Sequence, residues 1–308
     1  VDTRPNVTIE LKDLVVQYNE TLALRDERAT FKGNVVAVIG HNGAGKSTFI
    51  KTILHLVLPI KGTVECTLNS QMGDLALAPD RHMAFCPEMG SVFTDIYVED
   101  YVKLWCRLKQ RDGKYYRREG SRYVEQLDLV PLLRKRGREL SKGQRRRVQT
   151  AIGFLTTPKL FLFDEPFDGL DVIRTQELTS LIKEHEDRMC FVVSSHRMDV
   201  MERLADFVVV LKDGRFVSQG TLEAVCEDLG GKTFFLRLES KLEEAAHVLQ
   251  KEFPACVVTT VGSHICITGR TTSEEKILSF VNMLSPGKVD IESTIPSLVD
   301  AMNVHLKT

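Results

Sequence analysis

The stretch Val35-Val36-Ala37-Val38-Ile39-Gly40-His41-Asn42-Gly43-Ala44-Gly45-Lys46-Ser47-Thr48 decides how this chain of 308 residues is read. Its first five residues form an unbroken apolar run, mostly β-branched, as expected of a strand buried on both faces of a sheet. Gly40 to Ser47 then fits G-x-x-x-x-G-K-[ST]. Apolar residues at Phe49, Ile50, Ile53, Leu54 and Val57 predict a helix over 47–58, closed by Pro59. Strand, glycine loop and helix together suit a phosphate. The glycines let the backbone fold tightly so that successive N–H groups face the anion, and the helix adds its positive N-terminus. Lys46 is placed to reach the β- and γ-phosphates of a nucleotide, and Ser47 to ligate Mg²⁺. A chance turn before a helix is the competing reading, and the buried strand ahead of the loop argues against it.

A second apolar strand, Leu160–Phe163, ends in Asp164-Glu165-Pro166. Taken alone, that would pass for a strand running into an acidic turn. After a phosphate loop, Asp164 is expected to hold Mg²⁺ directly or through water, and Glu165 to orient or deprotonate an attacking water. Elsewhere Val7–Tyr18 alternates as a strand, and a polar turn is expected before Phe31-Lys32-Gly33-Asn34. Residues 63–87 read as short strands and loops. Helices are predicted over Val98–Leu108, Arg118–Leu127, Ser141–Leu155 and Arg174–Glu186, and a strand over Cys190–Ser194. Phe207–Lys212 and Arg215–Gln219 form a hairpin around Asp213-Gly214. Past Gly230-Gly231 the predicted order is strand 233–238, helix 241–252, strands 256–260 and 264–268, helix 273–284, strand 288–292 and helix 296–306. That βαββαβ order matches the split-βαβ plan and sets a domain boundary at Gly230-Gly231.

The bulk numbers exclude several classes. A net charge of -1 gives no global pull towards nucleic acid or anionic lipid. The basic runs Arg134-Lys135-Arg136 and Arg145-Arg146-Arg147 read as solvated helix faces. Seven scattered cysteines without a C-x-x-C pair suggest neither a zinc site nor a disulfide framework, and fit a reducing compartment. No apolar run approaches the ~20 residues of a membrane span. The start, Val1 to Pro5, lacks the apolar core of a signal peptide and an initiator Met, which points to processing or trimming. A membrane role is therefore expected to come through a partner.

Three further segments carry a family resemblance: Leu140-Ser141-Lys142-Gly143-Gln144, Phe167-Asp168-Gly169-Leu170-Asp171 and Ser194-Ser195-His196. In that order after a phosphate loop, they resemble the nucleotide-binding subunits of ABC transporters over about residues 7–230. The resemblance implies an α/β fold: a P-loop NTPase core with a mostly parallel sheet, an antiparallel β subdomain and a helical subdomain at about 89–158. These make a domain of residues 1–230, followed at 231–308 by a small α+β, ferredoxin-like accessory or regulatory domain. It also implies that ATP is held by Gly40, His41, Asn42, Gly43, Ala44, Gly45, Lys46, Ser47 and Thr48. Ser141, Gly143 and Gln144 would face the γ-phosphate of ATP bound to a second copy, and Asp171 would couple the two sites. Lys142 stands where the family most often has glycine. Glu165 and His196 would be the catalytic residues, His196 contacting the γ-phosphate and helping to hold the water.

Tyr18, 22 residues before Gly40, matches the position of the family's adenine-stacking aromatic; a half-exposed strand residue is the lesser alternative. Glu88, in Phe85-Cys86-Pro87-Glu88, stands where the family usually has Gln. With Ser47 and Asp164 it is expected near Mg²⁺, as a sensor of transporter contact. A carboxylate there resembles a subgroup of single-domain drug and sodium exporters. Residues 89–133 resemble the segment that receives a membrane partner, with Phe93, Tyr97 and Tyr101 either exposed in that groove or packed with Trp105 inside the subdomain.

The resemblance thus implies a peripheral ATPase on the cytoplasmic face of the membrane. It would act as a homodimer with Mg²⁺ and ATP and drive export through integral-membrane subunits, without nucleic acid. The alternative is a soluble ABC ATPase acting on ribosomes or nucleic acid. The ribosomal type usually carries two catalytic domains, whereas one set is present here. The chromosome type inserts a long coiled coil, and no sustained heptad pattern lies between Lys46 and Asp164.

Overall fold

The computed structural model describes residues 4–108, 113–237, 242–270, 272–284 and 290–307. Val1–Thr3, and Leu238, Lys241, Lys288 and Val289 of the C-terminal elements read above, lie outside them. A hairpin comes first: β1 (Asn6–Tyr18) and β2 (Thr21–Gly33) pair antiparallel, with Asn19 at φ 50 in the turn. The stretch expected as a polar turn before Phe31 is therefore strand. Its place at the sheet edge explains the misreading. Among its described side chains, Leu24, Ala29 and Phe31 are the buried apolar ones, too sparse a pattern to register as alternation. β4 (Lys61–Ser70) and β5 (Gly73–Ala76) complete this sheet in the order β2-β1-β4-β5.

The second sheet is built on β3 (Val35–Ile39), every residue of which is buried. β6 (Met83–Cys86), β7 (Leu160–Asp164), β8 (Cys190–Ser195), β9 (Phe207–Lys212) and β10 (Arg215–Gly220) join it in the order β10-β9-β3-β8-β7-β6. The pairs β3–β8, β3–β9, β7–β8 and β6–β7 are parallel. Asp206 fixes the start of β3 by accepting the N–H groups of Asn34 and Val35, each at 3.0 Å.

The helices of this part are α1 (Lys46–Ile53), α2 (Pro79–His82), α3 (Val98–Leu108), α4 (Gly113–Tyr115), α5 (Ser121–Gln126), α6 (Lys142–Leu155), α7 (Val172–His185) and α8 (Met198–Leu204). α1 is shorter than its periodicity predicts. His55 turns left-handed at φ 54 and Leu56 N–H bonds back to Lys51 O, which leaves Leu56 and Leu58 exposed. α3 coincides with its predicted span. The run Arg145–Arg147 is not a solvated face, because Arg146 is only 4% exposed. Of the two readings left open for the aromatics, Tyr101 takes the packed one, buried edge-on between Phe93 and Trp105, while Phe93 and Tyr97 are exposed.

Compact units comprise residues 1–217 and 218–308. In the second, α9 (Leu222–Gly230) packs on α12 (Leu298–Lys307), and Arg270 Nε donates to Leu229 O at 2.9 Å. That packing places the division ahead of α9 instead of at Gly230-Gly231. Strands β11 (Lys232–Arg237), β12 (Val257–Val261), β13 (His264–Gly269) and β14 (Asp290–Thr294) form an antiparallel sheet in the order β12-β13-β11-β14. α10 (Leu242–Glu252) and α11 (Glu274–Leu284) connect them, and Phe234, Leu236, Leu249, Ile265, Ile267 and Ile277 form the core.

In the first unit Phe154 of α6 meets Phe161, Phe163 and Phe191 of the parallel sheet, and Tyr123 stacks on it. Beside this cluster the buried His185 has Nδ1 2.8 Å from Leu181 O and Nε2 2.7 Å from Tyr123 Oη. The carbonyl can only accept, so Nδ1 carries the proton and the neutral ring takes the tyrosine hydroxyl at Nε2. Burial pushes the His185 pKa below its ordinary 6.5. Its stabilising contribution is full above 6.5 and is lost as pH falls through the depressed value. Urea unfolding between about pH 7 and about pH 5 should therefore show a shallower loss of stability in His185→Gln than in the wild type. Identical slopes would rule His185 out as a contributor.

Candidate active site

The phosphate-loop sequence folds as a tight turn because two glycines allow close approach. A Cβ on Gly40 would sit 2.3 Å from Leu211 O. Gly45 caps α1 at φ 109, with Ala23 O 2.8 Å from where its Cβ would lie. Lys46 is buried at 5% exposure, and its ammonium donates to Gly40 O at 2.7 Å and His41 O at 3.2 Å. The same ammonium lies 3.1 Å from Glu165 Oε1.

Asp164 and Glu165 close β7. Asp164 is 4% exposed, and its Oδ1 accepts from Ser47 Oγ at 3.0 Å and Ser194 Oγ at 2.7 Å. Ser194 Oγ also accepts the Glu165 N–H at 3.0 Å. Glu165 takes the left-handed φ of 48, uncommon for a residue with a side chain and a conformation that recurs at functional sites. Its Oε2 accepts the His196 N–H at 3.2 Å and lies 2.9 Å from His196 Nδ1. A carboxylate can only accept, so the ring hydrogen sits on Nδ1 when this contact forms.

These groups meet in a cleft of about 440 Å³. Of the residues singled out in the sequence, Asn42, Gly43, Gly45, Lys46, Ser47, Thr48, Glu88, Glu165 and His196 line it. Gly40, His41 and Ala44 shape the loop from behind: two supply carbonyls to Lys46, and Ala44 is buried. Asp164 stands behind Ser47. Tyr18 is 43% exposed and outside the lining, while Thr21, Leu22 and Ala23 of the same hairpin are in it.

The oxygen donors suit Mg²⁺. Ser47 and Asp164 touch, Glu88 lines the same cleft, and this hard ion takes one or two carboxylates with waters and substrate phosphate oxygens. Among the described residues no group of three or more His, Cys, Asp or Glu is arranged as an all-protein metal cage, a kind of site Mg²⁺ seldom uses. Thiols play no part. All seven cysteines are free and buried, and burial pushes Cys86 up to about 11 and Cys66 and Cys190 to about 12.

A family profile described as ABC transporter matches residues 28–168. The chain carries an ABC transporter ATP-binding domain. It is similar to an uncharacterised ABC transporter ATP-binding protein of Methanocaldococcus jannaschii, 27% identical over 72% of this chain and 82% of that one. An ABC-type organic anion transporter of Mus musculus is 30% identical over 68% of this chain, which spans only 13% of that protein. Among solved structures, an ATP-binding subunit of an ABC transporter is 28% identical with a TM-score of 0.63, covering 79% of this chain and 99% of that one. The domain belongs to an ATP-hydrolysing family.

The signature residues of this ABC domain do not reach the cleft of their own chain. Ser141 caps α6: its Oγ accepts the Gln144 N–H at 3.3 Å, and Gln144 Oε1 accepts the Ser141 N–H at 3.0 Å. A Cβ on Gly143 would meet nothing within 4 Å. Asp171 caps α7 by accepting the Arg174 N–H at 2.8 Å. Sequence reasoning missed four contributors: the Thr21–Ala23 wall, Asp168 in the lining, Ser194 as the partner of Asp164, and Arg146. Only Ser194 carried a usable signal, as a hydroxyl ending the strand beside β7.

Ser194→Ala leaves a buried carboxylate with one hydroxyl fewer. Urea unfolding should show a loss of about 1.5–3 kcal/mol, the range for hydrogen bonds to charged groups. An unchanged unfolding free energy would remove Ser194 from the supporting shell.

Proposed function

We propose that the chain binds and hydrolyses ATP as the energy-coupling subunit of an ABC transporter. The convergence of Lys46, Ser47, Glu165 and His196 on one cleft, with Asp164 behind Ser47, carries this reading. Phosphates enter against the loop N–H groups and the N-terminus of α1, where the Lys46 ammonium exchanges its contact with Glu165 for phosphate oxygen. Ser47 and Asp164 would hold Mg²⁺, which would supply neutralisation of the phosphate charge. Glu165, held at Oε2 by His196, takes a proton from the attacking water. The water oxygen bonds to the γ-phosphorus as the bond to ADP breaks, giving ADP and phosphate. His196 orients that water. The Tyr18 hairpin stacks on the base, which reads little of its hydrogen-bonding pattern.

In this reading two copies act together, with Ser141, Gly143 and Gln144 of one presented to ATP on the other and Asp171 coupling the sites. The open face at Gly143 and the positive end of α6 support it. Exposed Met89, Phe93 and Tyr97 support docking of membrane subunits at the helical subdomain. No described helix is long and apolar enough to cross a membrane, so such subunits would bring the chain to the cytoplasmic face. Glu88 senses that contact close to the metal. Relatives named as transporters support coupling to membrane transport, and we take its direction as export. Residues 231–308, with α9 packed against α12, act as an accessory, regulatory domain, and their sheet order supports a ferredoxin-like plan.

Glu165→Gln should keep ATP binding, lower turnover by about 10²–10⁴-fold as general bases do, and trap an ATP-bound dimer. Size exclusion with saturating ATP checks this, and monomers alone would refute the shared site. Lys46→Ala should lose ATP affinity and turnover together; an unchanged rate would end the phosphate-loop assignment.

A further inference from the structure

The charged residues lining the cleft are unbalanced for a site that takes a polyanion. Glu88, Glu165 and Asp168 line it with Lys46 as their cationic neighbour in the wall. Lys46 lies 3.1 Å from Glu165. Glu88 and Asp168 share a different cation, one outside the lining: Lys142 Nζ is 3.0 Å from Glu88 Oε1 and 3.7 Å from Asp168 Oδ2. Lys142 opens α6, beside the Ser141 cap.

One turn further along α6, the buried Arg146 holds the backbone beneath the same two carboxylates. Its guanidinium donates to Glu88 O at 2.8 and 3.2 Å, to Asp168 O at 2.6 Å and to Pro166 O at 3.2 Å. Residues four apart share a helix face. A single face of α6 therefore fixes both the backbones and the charges of this acidic wall. Arg146 is locked in by four carbonyl contacts. The Lys142 pair is partly exposed, at 42% and 45%, and open to solvent and salt.

Unneutralised carboxylates at this wall would repel the phosphates of a nucleotide. We propose that Lys142 is the counter-ion of the wall: a positioning residue that neutralises Glu88 and Asp168 in its own protomer and so raises that cleft's affinity for Mg·ATP. This rests on the ATP reading above and adds a role within one protomer for a signature residue.

The test is a titration of the full chain with a fluorescent ATP analogue and Mg²⁺, at protein concentrations where light scattering shows monomer. Lys142→Met should weaken binding by about threefold to fivefold, the size expected of a partly exposed, screened pair. Lys142→Arg should hold wild-type affinity. Adding Glu88→Gln to Lys142→Met should restore binding in a parallel titration without Mg²⁺, where loss of a metal-proximal carboxylate does not enter, because the charge that needed a counter-ion is gone. The loss should shrink as salt rises towards 1 M, where the screening length is about 3 Å. Wild-type affinity in Lys142→Met, or no recovery in the double variant, would overturn the proposal while wild-type binding left the ATP site standing. A wild-type chain that binds no Mg·ATP would overturn both. Thermal melts of each variant separate lost binding from lost folding, and the recovery arm is one that a merely structural lysine would not produce.

Discussion

Asp164 is a carboxylate taken almost wholly out of water, and a buried charge is stable only when it is well partnered. Its two hydroxyl partners come from Ser47 in the first turn of α1 and Ser194 near the end of β8. The contact therefore ties the phosphate loop to two neighbouring strands at their C-terminal ends. Glu165 follows directly, its N–H held by Ser194 and its side chain spanning Lys46 and His196. If the Asp164 contacts shift, Ser47, Ser194 and the backbone of Glu165 shift with them.

Helix α6 is the second organising element, and it works through both faces. One packs Phe154 into the aromatic cluster of the parallel sheet. The other follows the loop after β6. Gln149 donates to Phe85 O, Arg146 clamps Glu88 and Asp168, and Lys142 pairs with their carboxylates. A displacement at the N-terminal turn of α6 thus reaches the nucleotide cleft through bonded contacts. Such a connection lets a cleft on one side and a partner surface on the other bias the same element.

Elements with dense, regular patterning were readable in advance. The all-buried β3, the run ending at Asp164 and α3 lie where their residues predict. β2 was not, because an edge strand buries too few residues to declare its period, and α1 ends early through the backbone conformation of His55. Among side chains, Arg146 was misjudged, and Tyr101 was left open between an exposed and a packed place. A guanidinium or phenol looks like a surface group until the carbonyls or rings that enclose it are known.

The sequence by itself determined the chemistry of the loop, the carboxylate strand and the order of the motifs, since those depend on residue type and short spacing. It also determined the βαββαβ order of the C-terminal part. Tertiary structure alone decided that Ser194 supports Asp164, that the β1–β2 hairpin walls the cleft through Thr21–Ala23, and that Lys142 meets Glu88. Each of these joins residues far apart in the chain. A contact of that kind depends on how strands and helices pack, and local periodicity does not record it.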